Sequence, residues 1–146
     1  MAYILGVDIG TSGTKTVLFS EDGTPVASAL YDYPLYTPCN GYAEQDPADW
    51  WNAAAATIRT VLQKSAIAPA DVVSLGISGQ MHGLVMLDEN GNVLRRSIIW
   101  CDQRTQQECE EITEKVGYER LIRITANPAL TGFTLSKVLW VRKHEP

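Results

Sequence analysis

The chain has 146 residues, a formal net charge of −5 and 45% hydrophobic residues. That length suits one domain with a real core, burying about 68–70% of its unfolded surface. An acidic balance without a basic face argues against a nucleic-acid partner, and Cys39, Cys101 and Cys109, which form no Cys-x-x-Cys, fit neither a disulfide framework nor a zinc site. They point to a reducing compartment. Residues 1–10 lack the positive start and long apolar core of a secretory signal, and no run approaches about 18 apolar residues, so a cytoplasmic protein that does not cross a membrane is expected.

Along the chain, Tyr3 to Val7 is nearly continuous in apolar residues and predicts a strand buried on both faces. A glycine-containing turn leads into a second strand, Thr14 to Phe19, and Glu21-Asp22-Gly23-Thr24 turns the chain into a third, Pro25 to Tyr33. After a loop rich in Pro, Tyr and Gly, Asp46 caps a helix that opens on Pro47. Its apolar face is Trp51, Ala54, Ala55, Ile58, Val61 and Leu62, at helical spacing, and it ends before Pro69. Strands are expected at Val72 to Ile77 and Gly83 to Leu87. A turn at Asp88 to Gly91 then leads towards Val93-Leu94, where the adjacent Arg95-Arg96 read as solvated. Ile98 to Trp100 predicts a short strand feeding a polar helix from Asp102 to about Val116. Its buried stripe is Cys109, Ile112 and Val116, and its carboxylates Glu108, Glu110, Glu111 and Glu114 read as a solvated face. Leu135 to Lys143 predicts a last amphipathic helix. The alternation of strands and helices is α/β, a mixed sheet with flanking helices.

The first turn carries the densest chemistry. In Asp8-Ile9-Gly10-Thr11-Ser12-Gly13-Thr14-Lys15, a carboxylate ends one strand and two glycines let the backbone approach a ligand. Hydroxyls add donors, and a lysine opens the next strand. Acid oxygens suit the hard Mg2+, and N–H groups with a cation suit phosphate oxygens. A strand rather than a helix follows, so this is not a Walker A loop. An ordinary hairpin with Asp8 capping its own turn, and a solvated Lys15, are the plainer readings. Further on, Gly79-Gln80-Met81-His82-Gly83 breaks two apolar segments with polar residues, offering Gln80 an amide's role, Met81 an adaptable wall and His82 a donor and an acceptor. His82 equally suits a structural histidine. Trp100 offers an aromatic face, Asp102 fits a hydroxyl acceptor or a helix cap, and Arg104 is placed to pair with it.

Taken in order, Asp8 to Gly13, Glu44-Gln45-Asp46-Pro47 with Trp50-Trp51, Gly79 to Gly83, Trp100 to Arg104, and Gly132-Phe133-Thr134 with Lys137 and Leu139-Trp140 resemble the amino-terminal part of the FGGY carbohydrate kinases. The resemblance runs nearly end to end. It implies an incomplete amino-terminal domain of ribonuclease-H-like, actin-like ATPase fold, with the catalytic Asp and a second domain beyond residue 146. It also implies transfer of the ATP γ-phosphate to a sugar. Gln80-Met81-His82-Gly83 is the part that points to D-xylulose among the family's substrates.

On this resemblance Asp8 positions Mg2+, through water, and is important for activity. Gly10, Thr11, Ser12, Gly13 and Lys15 hold ATP. Gln80, Met81, His82, Gly83, Trp100, Asp102 and Arg104 hold the sugar, with His82 beside Met81 on the ketose. The expected partners are ATP, D-xylulose and the remainder of the kinase, with a homodimer possible for the whole protein. Two alternatives stay open. One is a kinase of the same family for ribulose, gluconate or glycerol; the other is a non-catalytic actin-like binding module.

Overall fold

The computed structural model describes residues 2–146, which fall into two compact units: residues 2–35 with 46–80, and residues 36–45 with 81–146. In the first, β1 (Tyr3–Ile9), β2 (Gly13–Ser20) and β3 (Pro25–Asp32) form an antiparallel meander. A later strand, β5 (Val72–Gly79), joins β1 in parallel, giving a mixed sheet of order β3-β2-β1-β5. Helix α1 (Pro47–Ser65) begins as the sequence predicts, with the Asp46 carboxylate accepting from the Ala48 N–H at 2.9 Å and proline at the first turn.

Strand β1 is not buried on both faces. Leu5 and Val7 are buried while Ile4 and Asp8 are exposed, because side chains alternate across a strand and α1 lies against only one face of the sheet. The α1 stripe is also displaced from the predicted one. Ala53, Thr57 and Val61 are buried at i, i+4, i+8, whereas Trp51 is 77% exposed. Thr57 explains the shift. Its hydroxyl shares a 2.7 Å hydrogen bond with Thr16 of β2, so a polar pair sits inside a contact that apolar spacing alone would place elsewhere. Leu5, Leu18, Ala29 and Val61 complete this core, each large side chain contributing roughly 1.5–3 kcal/mol by burial. On the open side of β5, Val73 and Ile77 remain exposed.

The second unit is built on turns and helices. Two-residue strands β4 (Glu44–Gln45) and β6 (Ser97–Ile98) pair antiparallel. The strands expected at Gly83 to Leu87 and Val93-Leu94 are reduced to isolated bridges, Leu84 with Ile98 and Leu87 with Val93. The turn between them is real. The Asp88 carboxylate accepts from the Asn90 and Asn92 amides, each at 2.8 Å.

Three helices follow: α2 (Gln106–Val116), α3 (Tyr118–Thr125) and α4 (Thr134–His144). Helix α2 starts four residues later than Asp102, whose carboxylate accepts from the Arg104 amide at 2.9 Å and also from the Ala43 amide at 2.6 Å. Helix α3 was not expected; it is short, opens directly on Gly117 at φ 86° and buries Leu121. The unit's core is Leu84, Ile98 and Val141, with Met86 and Trp140 packed against it. No helix among the described residues is long and apolar enough to cross a membrane.

Candidate functional site

The predicted site residues divide between the units. Asp8 to Lys15 and Gln80 belong to the first, and Met81 to Arg104 to the second.

In the first unit, β1 and β2 place Asp8 directly opposite Lys15. Cross-strand partners share a face, and here both are exposed, on the side of the sheet away from α1. A carboxylate and an ammonium therefore stand side by side one pair from the hairpin turn, among Gly6, Gly76 and Ser78. The turn between them is tight. A Cβ on Gly13 would lie 2.7 Å from the Tyr31 carbonyl oxygen and 2.9 Å from Asp32 Oδ1, so glycine is required here by close approach of a neighbouring strand.

Tyr33, which the sequence did not single out, fastens the same turn. Its buried hydroxyl donates to the Gly10 carbonyl and its amide donates to the Ser12 carbonyl at 3.3 Å. Burial pushes the Tyr33 phenol above its usual value, keeping it a donor. The Gly10 N–H donates to the Gly13 carbonyl at 3.0 Å, which takes it out of any set of ligand donors. Ser12 is exposed and Thr11 half-buried. Gln80 ends the β1–β5 ladder, its amide donating to the Ile9 carbonyl at 2.9 Å.

Among the described residues no cluster of three or more His, Cys, Asp or Glu is placed to hold a metal. A single exposed carboxylate still fits Mg2+, which dehydrates reluctantly and is commonly bound by one or two carboxylates together with substrate phosphates and water.

In the second unit, His82 adopts φ 65°, the left-handed region that non-glycine residues enter at a cost of order 1 kcal/mol. Its carbonyl accepts from Lys137 Nζ at 2.7 Å and Thr134 Oγ1 at 3.2 Å, and its ring meets Phe133 edge-on at 4.8 Å. Met81 and His82 are exposed, and Gly83 packs closely enough that a Cβ would stand 3.2 Å from Ser97 Oγ. Trp100 is 47% exposed, and its carbonyl lies 3.0 Å from where a Gly132 Cβ would be. The Gly132 carbonyl in turn accepts from Lys137 Nζ at 2.6 Å. Residues 132–137 thus tie the His82 backbone to the end of the Trp100 segment.

Asp102 and Arg104 sit beneath this surface. Asp102 is fully buried, and its oxygens accept from the Ala43 amide at 2.6 Å and from the Arg104 Nη2 at 2.7 Å. Arg104 reaches on to Glu44 at 2.8 Å and stacks over the Tyr42 ring. The predicted Asp102–Arg104 pairing is present, and both heads are engaged within the protein. Arg95, expected to be solvated, joins the same network through Glu44 at 2.5 Å and Glu145 at 2.6 Å.

Lys137 is wholly buried, and desolvation lowers it from 10.5 to about 8, with Asp102 partly opposing the shift. One signal for it was available: Lys137 lies one helical turn from the buried Val141 on α4, on the core side, where a charge needs a reason.

The mixed sheet with its covering helix and antiparallel lead-in hairpin defines an actin-like ATPase fold. Residues 3–146 match the FGGY family of carbohydrate kinases, N-terminal domain, and the chain belongs to that family. It is 43% identical over its full length to a xylulose kinase from Bacillus subtilis, and spans 29% of that relative. Among solved structures, xylulose kinase from Rhodospirillum rubrum superposes with a TM-score of 0.92 at 32% identity, over 99% of this chain and 30% of that one. Gluconate kinase from Lactobacillus acidophilus superposes at 0.89 and 30%, over 99% and 29%.

Proposed function

We propose that this chain carries the phosphate-handling hairpin and the sugar-holding segment of an ATP-dependent kinase that converts D-xylulose to D-xylulose 5-phosphate. The observation that carries the reading is the exposed Asp8–Lys15 pair beside a hairpin turn that excludes a side chain at Gly13. In this role Lys15 faces phosphate oxygens, the amides of residues 11–13 approach them closely, and Asp8 orients the metal's water shell. Mg2+, when bound, neutralises charge on the phosphates. On the sugar side, His82, Met81 and the Trp100 face receive the ketose, while Asp102 and Arg104 hold the wall beneath.

In the reaction the sugar's 5-hydroxyl oxygen bonds to the γ-phosphorus as the bond to the bridging oxygen of ADP breaks, and the hydroxyl proton passes to a base. That base and a second domain are assigned to polypeptide outside residues 1–146, in keeping with the 29% span of the relative.

Asp8→Ala in the intact polypeptide tests the reading. A carboxylate that organises charge developing in transfer should chiefly lower kcat, by about 10²–10³-fold, with sugar KM little moved. Wild-type turnover at saturating magnesium would return the hairpin to a structural turn.

A further inference from the structure

The buried ammonium of Lys137 has no sugar or phosphate to meet from inside α4, yet both of its hydrogen-bond acceptors, the His82 and Gly132 carbonyls, are neutral backbone groups. A lysine that only completed a core would be better replaced by an apolar residue, since burying a charge on carbonyls alone is unfavourable. His82 supplies the reason. Among the described residues it is one of three non-glycine residues with positive φ; the other two, Ala66 and Ala126, are helix caps, where that conformation is routine. His82 ends no helix, so its left-handed turn has to be held from outside. The holding groups all come from one stretch: Lys137 Nζ and Thr134 Oγ1 on its carbonyl, and the Phe133 ring edge against its imidazole.

We infer that Lys137, with Thr134, is a positioning residue for sugar recognition: it clamps the His82 peptide in the left-handed conformation that aims the imidazole outward. The inference rests on the sugar role proposed for His82. Lys137 touches neither substrate; it acts through the direction of one peptide. Because Gly132 accepts from the same ammonium, the clamp also ties the Trp100 end of the surface to His82. Glycine at position 82 would enter the left-handed region without a clamp, so removing Lys137 should matter much less once His82 is gone.

The test is steady-state kinetics of the intact polypeptide with MgATP and D-xylulose for Lys137→Met, Thr134→Val, His82→Ala, His82→Gly and the Lys137→Met/His82→Gly double variant, each with a thermal melt. Lys137→Met is expected to raise KM for D-xylulose about 10- to 100-fold while KM for ATP stays within about twofold. Thr134→Val should move the same constant in the same direction by less. In the His82→Gly background, Lys137→Met should add little, a non-additivity that a general loss of packing would not produce.

If His82→Ala raises KM for D-xylulose and folded Lys137→Met does not, the clamp is wrong and the sugar role of His82 stands. If His82→Ala leaves sugar KM unchanged, that role fails and the clamp fails with it. Full additivity in the double variant would also overturn it. Should Lys137→Met not fold, Thr134→Val decides, and unchanged sugar KM there overturns the inference.

Discussion

Gly13 and Lys137 each occupy a place that few other residues tolerate. At Gly13 the obstacle is the backbone of β3, since the nearest atom to an added Cβ is the Tyr31 carbonyl oxygen at 2.7 Å. Gly13→Ala must therefore part β2 from β3 at the hairpin mouth. A loss of about 1–3 kcal/mol is expected in denaturant unfolding. Gly10→Ala, whose closest atom is the Gly13 carbonyl at 3.3 Å, should cost less.

At Lys137 the sign of a pH effect follows from burial. Its folded value is about 8 against an ordinary 10.5, so between these values the unfolded chain binds more protons. This lysine's contribution to stability thus rises as pH climbs through that window. Cys101 and Cys109, whose thiols burial pushes up, act in the opposite sense near the same pH. The difference in unfolding free energy between wild type and Lys137→Met removes the thiol contribution, and it should grow from about pH 7.5 to 9.5. A flat difference would mean that the ammonium is not desolvated.

Individual elements were legible where local chemistry decides them and opaque where a distant partner does. The meander, the Asp46-Pro47 helix start and the Asp88 turn need only neighbouring residues, and each stands close to where the sequence puts it. Strand β4 pairs with β6 across more than fifty residues, from Glu44 to Ile98, and two residues leave no periodicity to detect. Helix α2 starts later than the sequence suggests: Asp102 accepts from the Arg104 amide at 2.9 Å, but its other oxygen is held by the distant Ala43 amide at 2.6 Å, and regular helix begins only at Gln106.

Glu108 illustrates the same limit. On α2 it reads as one of several surface acids, yet its side chain is 1% exposed and bonded at 3.0 Å to Lys143 of α4, which also reaches Glu111 at 2.6 Å. Lys143→Met would leave a carboxylate buried without its partner. A loss of stability is expected at neutral pH by denaturant unfolding, moderated because the lysine is partly exposed. Adding Glu108→Gln should recover part of it. No loss in Lys143→Met would show that the Glu108–Lys143 pair contributes nothing to holding α2 on α4.

For the molecule as a whole, the two units carry different shares of one proposed reaction: phosphate handling on the sheet hairpin, sugar holding on the Met81-His82 turn and the Trp100 segment that precedes α2. The site was legible in outline because its residues cluster in short motifs at element ends. Tyr33, Phe133 and Thr134 stayed out of it because their contribution is to hold other residues, Tyr33 and Thr134 through backbone carbonyls and Phe133 through the His82 ring, which no spacing reveals. Sugar identity lies beyond fold-level likeness, since gluconate and xylulose kinases superpose on this chain almost equally well. The measurement that bears most directly on the account is ADP release by the intact polypeptide with MgATP and, in turn, D-xylulose, D-ribulose, D-gluconate and glycerol, with the Asp8→Ala variant run beside each. The expected result is a kcat/KM for D-xylulose at least about tenfold above the other acceptors, falling sharply in Asp8→Ala. A higher kcat/KM for any other acceptor, or turnover indifferent to Asp8, would contradict it.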